Sequence, residues 1–263
     1  VYKRQHLFYI TSAGISLLNI STSESRLLYS NTTEDFFQVP SLYYDDQLKR
    51  LWIGTGSAGL FYYDIIRKSL SDIPIRNFPK QPILAIRKDA KNTLLIGIDG
   101  QGIWNISEKG DTILHIYKED LNNPFSLRGD GVYDILCDGS KNWIATFTGK
   151  LSFFENNNSQ ITPVTYQINN PNSLGNNYVN QIIEDHEGHI WFATNNGVSR
   201  WDAASNKWKH YYQNKSEQAK VFLSLCEDNQ GHIWAGSYSS GIYLLDRETG
   251  KTLKHYSSKT NTP

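Results

Sequence analysis

The stretch VNQIIEDHEGHIWFATNNGVSRWD, residues 179–202, contains three short runs rich in Ile, Val, Phe, Trp and Thr. DHEG and NN separate these runs. β-Branched and aromatic residues in runs bounded by Gly, Asn and Asp predict strands and not helices. Together with a fourth run at residues 207–213, the stretch predicts a four-stranded unit with strands at 179–183, 189–194 and 197–202.

The turn between the first two predicted strands has a defined chemistry. Its first residue is Asp, whose side chain can accept hydrogen bonds from turn amides, and its fourth is Gly, which tolerates a positive φ. Residues 185–188 and 228–231 share this pattern, and residues 89–92 have Asn in place of Gly. Asp46 stands at the same offset, but Lys49 occupies the glycine position. We therefore predict positive φ at Gly188 and Gly231 and a different turn after Asp46.

The second strand of this unit recurs along the whole chain. Its copies begin 43 to 48 residues apart: Leu7-Phe8-Tyr9-Ile10, Leu51-Trp52-Ile53-Gly54, Leu94-Leu95-Ile96-Gly97, Asn142-Trp143-Ile144-Ala145, Ile190-Trp191-Phe192-Ala193 and Ile233-Trp234-Ala235-Gly236. A glycine follows each copy, and an apolar residue follows that glycine except in the fourth copy, where Lys150 precedes Leu151. A period in the forties with four strands per repeat indicates β-propeller blades.

The predicted fold is thus all-β, a β-propeller of four-stranded blades. We predict one propeller region over residues 1–263, with six approximate repeats: 1–37, 38–79, 80–125, 126–174, 175–217 and 218–263. We favour an incomplete piece of a larger propeller, seven-bladed or double, and a six-bladed ring stays the alternative. Both faces of the second strands are apolar, as expected of blades packed between other blades. On this basis Trp191 and Trp234 are predicted to be inter-blade core.

Composition excludes several classes of partner. The chain has 26 Lys plus Arg and 26 Asp plus Glu, with no long basic stretch, so nucleic acid and anionic membrane surfaces are not expected partners. No apolar run approaches the ~18 residues of a membrane span, so we expect no direct membrane contact from this region. The cysteines, Cys137 and Cys226, lack metal-ligand spacing and are predicted to be buried thiols.

No motif predicts catalysis, a metal site or a cofactor. The acid pairs at 45–46, 184–185 and 227–228 fall at one repeat offset, at the predicted turns, and not across a substrate. His186, His189 and His232 belong to two separate turns and lack a third ligand. Residues 54–59 mimic a dinucleotide-binding glycine motif but lie between strands with no following helix.

Residues 179–202 and the copy from Leu225 to Ile242 resemble the two-component regulator propeller repeat. The linkers Asn123-Pro124-Phe125-Ser126-Leu127 and Asn170-Pro171-Asn172-Ser173-Leu174 are similar to a segment that often precedes a blade in that family. The resemblance implies the extracytoplasmic, periplasmic sensor region of a hybrid two-component histidine kinase. It implies a non-catalytic module that responds to oligo- or polysaccharide fragments, with possible homodimerisation through the parent sensor and kinase activity outside this chain.

A ligand would be expected on the face formed by the loops between second and third strands and by the connections between blades. The candidate ligand-binding residues there are Asp99, Gln101, Arg128, Asp130, Tyr133, Asn177, Tyr178, Asn195, Asn196 and Tyr238. Amides, charged groups and aromatic rings suit an oligosaccharide. Two other hypotheses stay open: a secreted propeller enzyme, such as a lyase or glycosidase, and a protein-docking scaffold.

Overall fold

A computed structural model describes residues 6–11, 13–30, 41–147, 149–212 and 220–257, and for His6 the backbone alone. Within these ranges the chain forms 23 strands and no helix. No helix of this part of the chain is therefore long and apolar enough to cross a membrane. The described strands form six antiparallel sheets, which we number blade 1 to blade 6 in chain order.

Blades 1 to 3 belong to one of two compact units. Blade 1 has three strands and blades 2 and 3 have four each, in sequential order. The strands are β1 (His6–Thr11), β2 (Gly14–Asn19), β3 (Ser25–Ser30), β4 (Ser41–Asp45), β5 (Arg50–Gly54), β6 (Leu60–Asp64), β7 (Ser69–Asp72), β8 (Ile83–Lys88), β9 (Leu94–Ile98), β10 (Gly102–Ile106) and β11 (Ile113–Tyr117).

Blades 4 to 6 belong to the second unit, and each has four strands in sequential order. Their strands are β12 (Val132–Cys137), β13 (Lys141–Thr146), β14 (Lys150–Glu155), β15 (Thr162–Val164), β16 (Val179–Glu184), β17 (Ile190–Thr194), β18 (Gly197–Asp202), β19 (Lys207–Tyr211), β20 (Phe222–Glu227), β21 (Ile233–Ser237), β22 (Ile242–Leu245) and β23 (Thr252–Tyr256). The predicted all-β architecture of propeller blades is confirmed. The single propeller region over 1–263 and its repeat boundaries stay a prediction.

The turn between β16 and β17 follows the predicted chemistry. Asp185 Oδ1 accepts hydrogen bonds from the amides of Glu187 and His189 at 3.0 and 2.9 Å. Its Oδ2 accepts the indole N–H of Trp191 at 2.8 Å, so one carboxylate fixes both the turn and the core tryptophan. The backbone φ of Gly188 is +83°, as predicted.

The same arrangement returns in two other blades. Asp228 accepts the indole N–H of Trp234 at 2.9 Å, and Gly231 has the predicted positive φ of +79°. In blade 4, Asp138 binds the indole of Trp143 at 2.8 Å. Blade 2 differs as predicted, because there the residue that accepts the turn amides is Asp45, and it pairs directly with Arg50 across a shorter turn.

The predicted core role of Trp191 is confirmed. Trp191 is fully buried and packs with Phe222, Leu225 and Tyr243 of blade 6. For Trp234 the prediction is wrong, since this residue is only partly buried and stacks on Tyr256 of its own sheet. Its side chain lies on the face of blade 6 opposite to Ile233 and Ala235, which pack against blade 5.

The prediction of two buried thiols is also wrong. Cys137 is half-buried and Cys226 is exposed. Cys226 lies opposite Trp234 in the strand register, so both side chains are on the face of blade 6 that points away from blade 5.

A cluster of charges joins blade 2 to blade 3. Lys88 Nζ, at the end of β8, lies 3.1 Å from Asp45 Oδ2 of blade 2 and 2.5 Å from Glu108 Oε1 of blade 3. The side chains of Lys88 and Asp45 are 9% and 1% exposed. Burial alone would lower the pKa of Lys88, but the hydrogen bonds that its amine donates to Glu108 and Asp45 raise the pKa, so the amine is held in its charged form.

Blade 6 has the opposite charge at the corresponding place. Glu227 ends β20 as Lys88 ends β8, and its side chain is buried at 6% exposure. Its carboxylate accepts the backbone N–H of His186 of blade 5 at 2.9 Å and contacts the His186 ring. Arg247 Nη1 lies 3.8 Å from Glu227 Oε1. Arg247 stands two residues after β22, the position that Glu108 has after β10. In blade 6 the carboxylate of Glu227 thus lies between two basic side chains, whereas in blade 3 the amine of Lys88 lies between two acids.

We expect Gly188→Val to destabilise the protein more than Gly188→Asn. A Cβ at Gly188 would meet no atom closer than 3.9 Å, so the substitution tests backbone conformation and not space. Asn tolerates a positive φ, whereas a β-branched residue is penalised there by about 1–2 kcal/mol. Urea unfolding of the two variants measures the difference, and equal midpoints would contradict the role assigned to φ.

Candidate functional site

The loops between second and third strands meet the connections between blades at one end of each sheet, which we call the loop end. In blade 4 the amide of Phe147 donates to Gly131 O at 2.7 Å, and in blade 5 that of Asn195 donates to Tyr178 O at 3.1 Å. In blade 6 the amide of Tyr238 donates to Val221 O at 2.9 Å. The other turns lie at the opposite end of each sheet, the turn end.

A cavity of about 430 Å³ opens at the loop end of blade 4, beside the connection that leads into blade 5. Its volume falls in the usual range of small-molecule sites, ~300–1,000 Å³. Its lining combines two cations, two neutral polar side chains and an aromatic ring with glycine and apolar residues: Arg128, Gly149, Lys150, Leu151, Pro163, Thr165, Asn177 and Tyr178. Three of these, Arg128, Asn177 and Tyr178, are among the sequence-predicted ligand residues.

The two Asn-Pro-x-Ser-Leu segments shape the connections around the cavity. Their leucines, Leu127 and Leu174, are completely buried. Ser126 Oγ accepts the amide of Asp120 and donates to the carbonyl of the same residue, both at 2.9 Å. In the next connection Ser173 Oγ accepts the amide of Gln167 at 3.1 Å and donates to the carbonyl of Asn170 at 2.9 Å. The motif therefore anchors each connection through a buried leucine and ties it into a closed loop through the serine.

Two predicted ligand residues have structural bonds in these connections. Asp130 and Asn177 each stand three residues after the buried leucine. Asp130 Oδ1 accepts the amide of Glu119, and Asn177 Oδ1 accepts that of Tyr166, both at 2.7 Å. The side-chain oxygen bound to the backbone fixes the loop in both cases, while Asn177 also lines the cavity.

The cavity wall also depends on close contact between Tyr178 and Gly149. Tyr178 is 51% exposed. A Cβ on Gly149 would lie 2.7 Å from Tyr178 Cδ1, so the absence of a side chain lets the ring lie directly over the loop. The φ of Gly149 is +72°, a second reason for glycine at this position. The result is a partly exposed aromatic surface beside polar groups.

The other predicted residues lie outside this cavity. Tyr133 packs edge-on against Phe147, Asn195 Oδ1 accepts from the Asn180 side chain at 2.9 Å, and Tyr238 is 74% exposed. The amide of Asn196 donates to Thr194. Asp99 and Gln101, on the β9–β10 loop, belong to the other compact unit.

The first strands contain a feature that sequence reasoning missed. β8, β12, β16 and β20 each carry a register shift one residue after the start of the strand. The additional residues are Leu84, Tyr133, Asn180 and Leu223. Bulges of this kind redirect a side chain and are common next to binding sites. In the sequence, the residue at this position differs in type from one repeat to the next. That variation alone does not identify a bulge, because a bulge is recognised only from the strand register.

The aspartate carboxylates of the turn end bind the amides and indoles of their own blades. Burial would raise the pKa of Asp138 and Asp228, but hydrogen bonds from turn amides and from the Trp143 and Trp234 indoles lower both, that of Asp228 to about 2. Burial, with the nearby charges of Asp138 and Asp185, raises the pKa of Glu184. Within the described residues no three His, Cys, Asp or Glu side chains are grouped to hold a metal ion.

The sheet topology defines a protein of the β-propeller class. The family model of the two component regulator propeller matches residues 173–196 and 216–239, so these segments of blades 5 and 6 are two-component regulator propeller repeats. No curated protein matches this chain in sequence.

Solved structures of similar fold cover nearly the whole chain. A computationally designed protein, Ika8, is 12% identical with a TM-score of 0.67, over 97% of this chain and 72% of its own. The extracellular domain described for the one component system BT4673 of B. thetaiotaomicron is 18% identical, with a TM-score of 0.45 over 96% of this chain. That of the hybrid two component system BT3049 of the same organism is 25% identical, with a TM-score of 0.43. This chain spans 41% and 32% of the lengths of these two domains.

Proposed function

We propose that this chain is a ligand-recognising, non-catalytic propeller region of a two-component signalling protein, located outside the cytoplasm. Its ligands are oligo- or polysaccharide fragments, and the signal passes to a kinase in the parent protein, with a homodimer as the responding assembly. Support comes from the two-component regulator propeller repeats in blades 5 and 6, and the proposal assigns the signalling role of such repeats to the whole chain.

The cavity at the loop end of blade 4 is the observation that carries this proposal. It offers a partly exposed tyrosine ring beside hydrogen-bonding side chains, the combination that binds a sugar through ring stacking and hydroxyl contacts. Asn177 and Thr165 supply neutral polar groups. A fixed wall favours recognition, because the structural bonds of Asn177 and Ser173 hold the connection in place before ligand binds.

The turn end is a poor place for a specific site. Asp185 and Asp228 bind the turn amides and the indoles of their own blades, in nearly the same geometry. The loop end instead differs between blades 4 and 5: Phe147 and Gly131 of blade 4 are hydrogen-bonded to each other, and their counterparts in blade 5 are Asn195 and Tyr178. Specificity can be introduced there without disturbing the repeated framework.

Tyr178→Ala is expected to weaken saccharide binding about tenfold or more, as loss of a stacking ring does. Calorimetric titration with defined oligosaccharide mixtures from hydrolysed pectin and galactan measures the effect. Tyr238→Ala is the matched control, since Tyr238 is an exposed tyrosine of the loop end that does not line the cavity.

The result that would overturn the proposal is weakening by Tyr238→Ala with none by Tyr178→Ala, or no binding of any fraction. Chromatography of the saccharides after incubation adds a second readout. Unchanged saccharides support recognition without catalysis, and shortened products would indicate the lyase or glycosidase alternative.

A further inference from the structure

We propose that the cavity at the loop end of blade 4 is specific for acidic saccharides, whose carboxylate or sulfate group binds between Arg128 and Lys150. This inference rests on the proposed function and names the ligand class of that same site. The cavity lining contains two cationic side chains, Arg128 and Lys150. Ring stacking and neutral hydrogen bonds to a sugar do not require a positive charge, so the two cations need a separate explanation.

Neither cation is repeated at the equivalent position of blade 5. Arg128 directly follows the buried Leu127, and the residue that directly follows the equivalent Leu174 is Gly175. The connection into blade 5 thus keeps the same anchoring leucine and serine without an arginine. Arg128 is an addition to the repeat and not a part of it.

Lys150 replaces a glycine in the same way. In blade 4 Thr146 pairs with Lys150, whereas in blade 5 the equivalent Thr194 pairs with Gly197. The threonine hydroxyl donates to the carbonyl of Lys150 at 3.1 Å and to that of Gly197 at 2.7 Å, so both residues make the same framework bond. The lysine side chain adds nothing to that bond. It is 46% exposed and lines the cavity.

Two additions to the repeat therefore place positive charge on one small cavity. A guanidinium with several donors in a fixed plane matches the two oxygens of a carboxylate or sulfate, and an ammonium adds a second charge. Arg128 Nη2 donates to Pro124 O at 2.7 Å, which orients the guanidinium from one side. The Tyr178 ring supplies the apolar surface against which the sugar would stack.

Two acidic residues lie near these cations. Glu119 Oε1 is 3.9 Å from Lys150 Nζ, with both side chains well exposed, an ion pair of little strength. Asp130 Oδ1 is bound to the amide of Glu119. Neither acid lines the cavity, so the charge that faces a ligand is positive.

The test compares digalacturonic acid, a 6-sulfated galactobiose and neutral galactobiose, by calorimetric titration of the whole chain. We expect at least one acidic disaccharide to bind tenfold or more tightly than the neutral one. Arg128→Gln and Lys150→Gln should each remove most of this preference while changing neutral binding less than threefold. Lys207→Gln, an exposed lysine at the start of β19, is the matched control and should leave the preference unchanged. Circular dichroism and the melting temperature establish that each variant is folded.

The outcomes separate this inference from the proposed function. Equal or tighter binding of neutral galactobiose by the unaltered chain overturns the acidic specificity and leaves the saccharide site standing. An acidic preference that survives in both cavity variants overturns the roles of Arg128 and Lys150. Absence of binding by all three disaccharides overturns the inference and the proposed function together. The two acidic probes distinguish carboxylate from sulfate as the recognised group.

Discussion

Replacing Trp191 by Ala is expected to lower the free energy of unfolding by about 3–5 kcal/mol, the range for removal of a large buried aromatic side chain. Trp191 stacks on Tyr211 with ring centroids 5.3 Å apart and packs against blade 6. The substitution leaves a cavity between two blades, and it also leaves Asp185 Oδ2 without its indole donor. Denaturant unfolding followed by fluorescence and circular dichroism measures the loss.

Trp234→Ala is the matched control for that experiment. Trp234 has the same sequence context and the same bond to an aspartate, Asp228, but it is only partly buried. We expect its replacement to cost less than about 2 kcal/mol, as for a partly exposed side chain. Equal losses for the two variants would contradict the assignment of Trp191 alone to the packing between blades.

Lys88→Ala is expected to cost about 3–5 kcal/mol, the range found when one partner of a buried ion pair is removed. The change leaves Asp45 almost fully buried without its cation and removes the bond to Glu108. Because the effect comes from an unpaired buried charge, part of the lost stability should return in the double variant Lys88→Ala, Asp45→Asn. Urea unfolding at neutral pH measures both.

Lys209→Ala gives the comparison for an exposed pair. Lys209 lies 3.3 Å from Glu248, and the two side chains are 48% and 60% exposed. Its replacement should change stability by less than about 1 kcal/mol. A Lys88→Ala protein no less stable than Lys209→Ala would show that the cluster between blades 2 and 3 does not stabilise the fold.

Much of the fold was predictable because each blade repeats one local pattern. The spacing of Asp185, Gly188 and Trp191 predicts a turn and a strand, and the structure adds that the carboxylate binds the indole. Trp234 shows the limit of such reasoning. Its sequence environment equals that of Trp191, but burial depends on what covers the sheet, and no local pattern contains that information.

The cavity was only partly predictable for a related reason. Arg128, Asn177 and Tyr178 could be assigned to the loop end from topology alone. The sequence shows that Lys150 stands after the repeat glycine, where the other copies have an apolar residue. That Lys150 occupies the place of Gly197 of blade 5 follows only from the strand pairing. Pro163 and Thr165, at and after β15, give no sequence signal, since their place in the wall depends on how the outer strand lies beside the connection.

The charge clusters of Lys88 and Glu227 bear on how similar blades find their proper neighbours. Blades of one repeat share shape and apolar faces, so during folding a blade could dock on the wrong one. If blade 6 docked on blade 2 in place of blade 3, the carboxylate of Glu227 would take the place of the Lys88 amine and meet the buried carboxylate of Asp45. If blade 3 docked on blade 5, Lys88 would face the His186 ring and lose Asp45, keeping only Glu108 of its own blade. The opposite signs of Lys88 and Glu227 at one repeat position thus disfavour an exchange of blades 3 and 6, and intermediates mispaired in this way would be short-lived.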